Sequence, residues 1–192
     1  DEGKVFGGNR KAHGVLTVAD NGNKYVTFQS NPNYTDTAGS RWDVNNGTGC
    51  TIIDYPYVMF EFDVMTVSGN YDGTGLYFRL YGKNAGGSTK NALVGSQVYF
   101  SNISLSTVPY EWNHVSLIQK YNGNNTFTRY TFVNGVQVGN GVNADFSSNE
   151  IFTAGNQATV SVKEFLMYPS ESSKIGLDNF LFTYFPAGYL GD

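Results

Sequence analysis

Charge, sulfur and long apolar runs are all scarce in this 192-residue chain. Charged residues make up 15% of it and the net charge is −4, against about 25% charged residues in typical soluble domains. The single cysteine, Cys50, excludes an intramolecular disulfide framework. No window approaches about 18 consecutive apolar residues, the minimum for a membrane-spanning helix. Because the chain is acidic, we expect no nucleic-acid partner. Because it has no such apolar window, we expect no membrane insertion.

The missing charge is replaced by glycine, small polar residues and aromatics. The chain has 23 glycines, 14 tyrosines and 14 phenylalanines, a mixture that suits contact with uncharged, hydroxylated ligands. Its length predicts a single domain over residues 1–192. The absence of disulfides disfavours an animal extracellular domain. We therefore expect one module of a larger secreted or cell-surface bacterial protein, covalently joined to neighbouring domains.

Alternating apolar and polar residues predict β-strands and no long helix. The clearest example is 108–140, where His114, Ser116 and Ile118 alternate with Val115 and its neighbours, and a second alternating run ends at Asn134-Gly135. Asn-Gly between alternating runs is a strong hairpin signal. Further strands are predicted, giving the set 13–19, 23–29, 56–67, 74–82, 91–100, 111–120, 126–133, 135–139, 157–168 and 175–185. Ten strands favour two packed antiparallel sheets, an all-β sandwich.

The alternation also predicts a polar surface. In 58–66, Phe60 and Phe62 belong to the core-facing set, which leaves Glu61 and Asp63 on the opposite face. If 76–81 is the neighbouring strand, Glu61 and Arg79 form a cross-strand charge pair, an ordinary sheet stabiliser. The candidate ligand-binding residues of this surface are Glu61, Asp63, Tyr77, Arg79 and Tyr81.

No catalytic constellation is recognisable in the sequence. Glu61-Phe62-Asp63 is similar to the E-x-D-x-(x)-E strand of concanavalin A-like β-glucanases, but Met65 and Thr66 stand where the second glutamate is needed. His114 is interpreted as an exposed or rim histidine, and no nucleophile-elbow sequence supports a Ser-His-Asp triad. The sequence therefore predicts that the chain is not an enzyme.

Two segments carry a family resemblance. Trp112–Leu117, W-N-H-V-S-L, followed by a strand ending V-N-G, resembles the laminin-G-like and concanavalin A-like jelly rolls. Residues 175–181, I-G-L-D-N-F-L, resemble the closing strand of jelly-roll carbohydrate-binding modules. The resemblance implies an antiparallel two-sheet jelly roll that recognises glycans. It also implies a structural calcium ion held by Asp178 and Glu2, the alternative being that Asp178 caps a turn or hydrogen-bonds to the backbone.

Aromatic residues complete the predicted binding surface. Trp42 is placed in a polar loop between Arg41 and Asp43, where ring stacking and hydrogen bonds could hold a sugar. Tyr99 is a further candidate, whereas Trp112 is interpreted as structural. We thus predict a non-catalytic carbohydrate-binding module for a polysaccharide or oligosaccharide. The alternatives are a structural or adhesive surface module, and a glycoside hydrolase or polysaccharide lyase on the same fold.

Overall fold

A computed structural model describes residues 12–19, 21–30, 40–42, 50–51, 56–71, 75–83, 89–93, 98–123, 126–145, 159–167, 173–189 and 191. The strands are β1 (Ala12–Val18), β2 (Lys24–Ser30), β3 (Ser40–Trp42), β4 (Cys50–Thr51), β5 (Tyr57–Ser68), β6 (Gly75–Lys83), β7 (Thr89–Leu93), β8 (Val98–Tyr99), β9 (Asn113–Gly123), β10 (Thr126–Val133), β11 (Val136–Gln137), β12 (Val142–Asp145), β13 (Thr159–Met167) and β14 (Lys174–Phe185). Within these ranges the helical structure is one 3₁₀ turn, Phe100–Asn102, and no helix is long and apolar enough to cross a membrane.

The strands form two antiparallel sheets. The eight-stranded sheet has the order β1-β2-β14-β5-β9-β10-β11, with β12 also paired to β10. The six-stranded sheet has the order β3-β13-β6-β7, with β4 paired to β13 and β8 paired to β6. The predicted fold class, an all-β jelly-roll sandwich, is confirmed.

One face of the eight-stranded sheet forms the core. Phe60, Phe62 and Val64 of β5 pack with Val115 and Leu117 of β9, and all five are buried. The cluster also contains Val98 of β8, which belongs to the other sheet. This face is therefore the inner one, and the alternate residues of β5 and β9 lie on the outer face.

The structure corrects the predicted pairing of Glu61 with Arg79. Strand β5 pairs with β14 and β9, whereas β6 belongs to the other sheet and places Arg79 opposite Glu164 of β13. Period-two alternation identifies which residues share a face but not which strands are neighbours. The predicted surface is therefore divided between the two sheets.

The structure also corrects the predicted environment of Trp42. Arg41 and Trp42 lie in β3, opposite Leu166 and Phe165 of β13, and not in a loop. A three-residue strand carries too short an alternation to be recognised in sequence.

Candidate functional site

Five polar side chains meet on the outer face of the eight-stranded sheet. In the register, Asp63 of β5 lies opposite His114 of β9, and Glu61 lies opposite Ser116. Nδ1 of His114 is 2.7 Å from Oδ1 of Asp63, and Nε2 is 3.3 Å from Oε1 of Glu61. The Ser116 hydroxyl donates to the same Glu61 oxygen at 2.9 Å. We call Glu61, Asp63, His114, Ser116 and Asn179 the His114 cluster.

The hairpin turn between β10 and β11 fixes the backbone of His114. Asn134 and Gly135 have φ values of 50° and 79°, the left-handed conformations that an Asn-Gly turn adopts readily. In this turn the Asn134 side-chain oxygen accepts the backbone N–H of His114 at 2.8 Å, and the Asn134 N–H donates to the His114 carbonyl at 2.8 Å. The turn thus anchors the residue on which the cluster is centred.

An irregularity in β14 fixes Asp63. The register between β14 and β5 shifts between Asp178 and Leu181, and Asn179 within that bulge has a φ of 52°. Its side-chain amide donates to Oδ2 of Asp63 at 2.6 Å. Bulges commonly re-aim a side chain beside a functional site. Both Asp63 oxygens are therefore engaged, one by His114 and the other by Asn179.

The two carboxylates favour a charged His114. Partial burial on its own would lower the pKa of the imidazole, but the hydrogen bonds and negative charges of Asp63 and Glu61 outweigh it, so the pKa is raised above 6.5. The raised pKa favours the protonated imidazolium, which can donate to both carboxylates. Such a group is a general acid held beside a carboxylate that can act as a base.

The raised pKa of His114 predicts a pH-dependent stability. Because its folded-state pKa is raised, its contribution is complete below the unfolded pKa of about 6.5 and is lost as pH rises through the folded pKa. Urea unfolding of the wild type and of His114→Gln should differ more at about pH 5.5 than at about pH 9. The side chain is 46% exposed, so the change should stay below about 1 kcal/mol. An equal difference at both pH values would show that Asp63 and Glu61 do not stabilise the protonated form of His114.

The cluster does not form a nucleophilic triad. Asp63 contacts one ring nitrogen of His114 and Ser116 contacts the other, as in a Ser-His-Asp triad, with Ser116 Oγ 3.4 Å from Nε2. The shorter contact of this hydroxyl, however, is to Glu61. Strands β5 and β9 are paired along Tyr57–Val64, so the backbone amides that join these two strands serve the sheet and not an oxyanion hole. The arrangement supports acid–base chemistry by Glu61 and His114.

The remaining predicted ligand residues do not join this cluster. The six-stranded sheet holds those in β3, β6 and β8, namely Arg41, Trp42, Tyr77, Arg79, Tyr81 and Tyr99. Asp43 lies outside the described residues. Their contact with a ligand stays a prediction.

The predicted calcium site is likewise untested. Glu2 lies outside the described residues, and Asp178 accepts the backbone N–H of Asn179 at 2.8 Å. Among the described residues, no group of three or more His, Cys, Asp or Glu side chains could hold a metal ion. Calcium binding by Asp178 stays a prediction.

Comparisons of sequence and of structure give different results. No protein-family model and no curated protein sequence matches the chain. The solved alginate lyase vAL-1 from Chlorella virus superposes with a TM-score of 0.51 and 13% identity, over 90% of this chain and 89% of that one. A variant of alginate lyase Aly36B in complex with an alginate trisaccharide gives 0.49 and 15%, over 90% and 87%. The CBM22-1 xylan-binding domain from Paenibacillus barcinonensis Xyn10C gives 0.43 and 12%, over 96% and 88%.

The similarity to vAL-1 contradicts the prediction that this chain is not an enzyme. That prediction rested on the lack of a catalytic motif, whereas vAL-1 is a lyase with the same fold at 13% identity. The structure also brings together acid–base groups that lie 53 residues apart in the sequence, where no local motif could reveal them. The chain shares its jelly-roll fold with this lyase.

Proposed function

We propose that this chain cleaves a uronate-containing polysaccharide by β-elimination at the His114 cluster. The observation that carries the proposal is the contact between His114 Nε2 and Glu61 Oε1 at 3.3 Å, with the opposite ring nitrogen bound to Asp63. An acid and a base thus stand side by side on one face of the sheet, each held by a second side chain.

Elimination suits this spacing. A base removes the proton from the carbon that bears the uronate carboxyl group, the bond from the adjacent carbon to the glycosidic oxygen breaks, and a C=C bond forms between the two carbons. Glu61 is placed to take that proton, and the imidazolium of His114 to protonate the leaving oxygen. Because the two reacting carbons are neighbours, two groups in contact with each other can serve both. Asp63 orients the imidazole, and Ser116 orients Glu61.

Hydrolysis fits the same spacing less well. Glycoside hydrolases place their two carboxyl groups about 5–5.5 Å or about 6.5–9.5 Å apart, so that the sugar or a water molecule lies between them. Here the imidazole of His114 lies between Glu61 and Asp63 and contacts both. The fold adds support for elimination, since vAL-1 is an alginate lyase. Alginate, a polymer of uronates, is therefore the first substrate to test.

One observation favours hydrolysis of a neutral glycan as the second candidate. Asp178 lies opposite Asp63 in the register, so this face carries a third acidic residue beside Glu61 and Asp63. Three acidic groups close together repel a polyanion more than a neutral chain. The reaction products distinguish the two candidates.

The test is an assay of alginate, other polyuronates and neutral plant polysaccharides. Elimination yields both a new reducing end and the ultraviolet absorbance of an unsaturated uronate, whereas hydrolysis yields the reducing end alone. We expect both signals from a polyuronate, with a loss of about 10²–10⁴-fold in His114→Gln and in Glu61→Gln. The control is Val136→Ala, at an exposed position beyond the β10–β11 turn, which should retain full activity.

Three outcomes would contradict the proposal. Reducing ends without the ultraviolet signal would establish hydrolysis instead. Cleavage that persists in both His114→Gln and Glu61→Gln would place the reaction elsewhere in the chain. If the wild type cleaved no polysaccharide, although its thermal unfolding showed that it was folded, the proposed catalysis would be wrong altogether.

A further inference from the structure

Two aromatic groups lie on the outer face of the eight-stranded sheet, one on each side of the His114 cluster. The first, the Trp112 group, comprises Trp112 and Tyr25. The second, the Tyr189 stack, comprises Tyr189, Phe185 and Tyr57. We propose that a single polysaccharide chain lies along β5 and β9 and stacks on both groups, which act as binding subsites on either side of the bond to be cleaved. The position of that bond is taken from the proposed function, on which the inference rests in this respect.

The Trp112 group lies just before the start of β9. The rings of Trp112 and Tyr25 meet edge to face, with centroids 5.6 Å apart and planes at 86°. Tyr25 fits closely over the sheet because Gly176 has no side chain: a Cβ there would lie 2.7 Å from Met65 Cε and 3.1 Å from Tyr25 Cδ2. Tyr25 is buried, and Trp112 is half-buried. The group thus presents a half-buried indole that packs against the Tyr25 ring.

The Tyr189 stack lies at the opposite end of the same strands. The rings of Phe185 and Tyr189 are nearly parallel, at 11°, with centroids 3.7 Å apart. Tyr57, which is 1% exposed, supports the stack with its ring centroid 6.1 Å from that of Tyr189. Tyr189 is 42% exposed. Tyr189 is thus the exposed member of the stack, and its exposed area can contact a sugar.

The two groups and the cluster share one line along the strands. Residues two apart in a strand share a face and are separated by about 7 Å. Trp112 is therefore ~7 Å from His114 along the strand direction. Lys120 is ~20 Å from His114 in the other direction and lies opposite Tyr57 in the register. Lys120 Nζ lies 5.6 Å from the centroid of the Tyr57 ring. A line of this length matches an extended chain of several sugar rings.

The chemistry along this line fits a polysaccharide. Sugar rings present C–H faces that pack on aromatic rings, and hydroxyl groups that need hydrogen-bond partners between those packing points. Here the polar cluster of Glu61, His114 and Ser116 lies between the two aromatic groups. The cation of Lys120 beside the Tyr189 stack can also pair with a uronate carboxylate.

Binding measurements test this inference without requiring cleavage. The probes are alginate oligosaccharides and neutral xylan oligosaccharides, and the readout is the dissociation constant by calorimetry. Trp112→Ala and Tyr189→Ala should each weaken binding of a long oligosaccharide about 2- to 10-fold. The two effects should multiply in the double variant, since the sites are farther apart than about 10 Å. Trp112→Phe and Tyr189→Phe keep a ring and should retain most of the affinity.

The control is Val136→Ala. Val136 is 69% exposed and lies in β11, at the edge of the eight-stranded sheet and in neither aromatic group, so its replacement should leave binding unchanged. Tyr99→Ala tests the rival surface: Tyr99 is 43% exposed and lies in β8 of the other sheet, so loss of binding in this variant alone would move the binding surface to the six-stranded sheet and overturn the inference. Absence of binding by the wild type, or binding that neither Trp112→Ala nor Tyr189→Ala weakens, would also overturn it. Weakened binding in both variants without any cleavage would support these subsites while contradicting the proposed catalysis.

Discussion

Replacing Phe62 by alanine is expected to destabilise the protein by about 3–5 kcal/mol, the range for removing a large aromatic side chain from a packed core. Phe62 is fully buried at the middle of β5. Its ring stacks on Phe100 at 5.9 Å and on Phe180 at 6.2 Å, and lies 5.4 Å from Phe60. The alanine variant would leave a cavity that these rings cannot fill without moving. Urea unfolding measured for both proteins gives the difference in the free energy of unfolding.

The matched control for this prediction is Phe62→Leu. Leucine keeps most of the apolar volume, so its cost should stay below about 1.5 kcal/mol. A loss below about 1 kcal/mol in Phe62→Ala would mean that the site collapses around the smaller side chain, which contradicts a rigid aromatic core.

Asn113→Ala is expected to cost about 2–4 kcal/mol, because it leaves buried polar groups without partners. The Asn113 side chain is buried and accepts the backbone N–H of Ser106 at 2.9 Å. Its amide group donates to the carbonyls of Val64 at 3.4 Å and of Ser106 at 3.3 Å. These bonds hold residues 105–112 against β5. Urea unfolding measures the cost, and faster proteolysis within 105–112 should accompany it.

Asn102→Ala serves as the comparison for this second prediction. Asn102 is exposed in the 3₁₀ turn, and a surface substitution of this kind should change stability by no more than about 0.5 kcal/mol. If Asn113→Ala were equally mild, water would have to replace the lost side chain, and the segment would not depend on Asn113.

The long strands were predictable because each carries enough alternating residues to define a face. The predictions 56–67, 126–133 and 175–185 match β5, β10 and β14 closely. The predicted strand 91–100 is divided between β7 and β8, and its last residue, Phe100, begins the 3₁₀ turn. The unpredicted strands are β3, β4 and β12, of two to four residues each. Such short strands owe their pairing to neighbouring strands and leave almost no periodic signal.

The candidate site was only partly predictable. Alternation correctly placed Glu61 and Asp63 on the solvent side of β5, but His114, on another strand, was interpreted as a rim histidine. Its contact with both carboxylates depends on the register of β5 with β9, which no local pattern specifies. Asn179 is farther still, 116 residues from Asp63, and its position depends on a bulge.

The position of β14 has a consequence for how the protein forms during synthesis. This strand follows all the other described strands in sequence, yet it lies inside the eight-stranded sheet, between β2 and β5. Until it emerges from the ribosome, β2 and β5 each keep an edge unpaired, a state that favours association between chains. Strands β1 and β2 therefore join β5 and the rest of the sheet only when β14 pairs between them. These contacts form late and link residues distant in sequence, which predicts slow folding. Asn179 arrives with this strand, so Asp63 acquires its full set of partners only when the sheet closes.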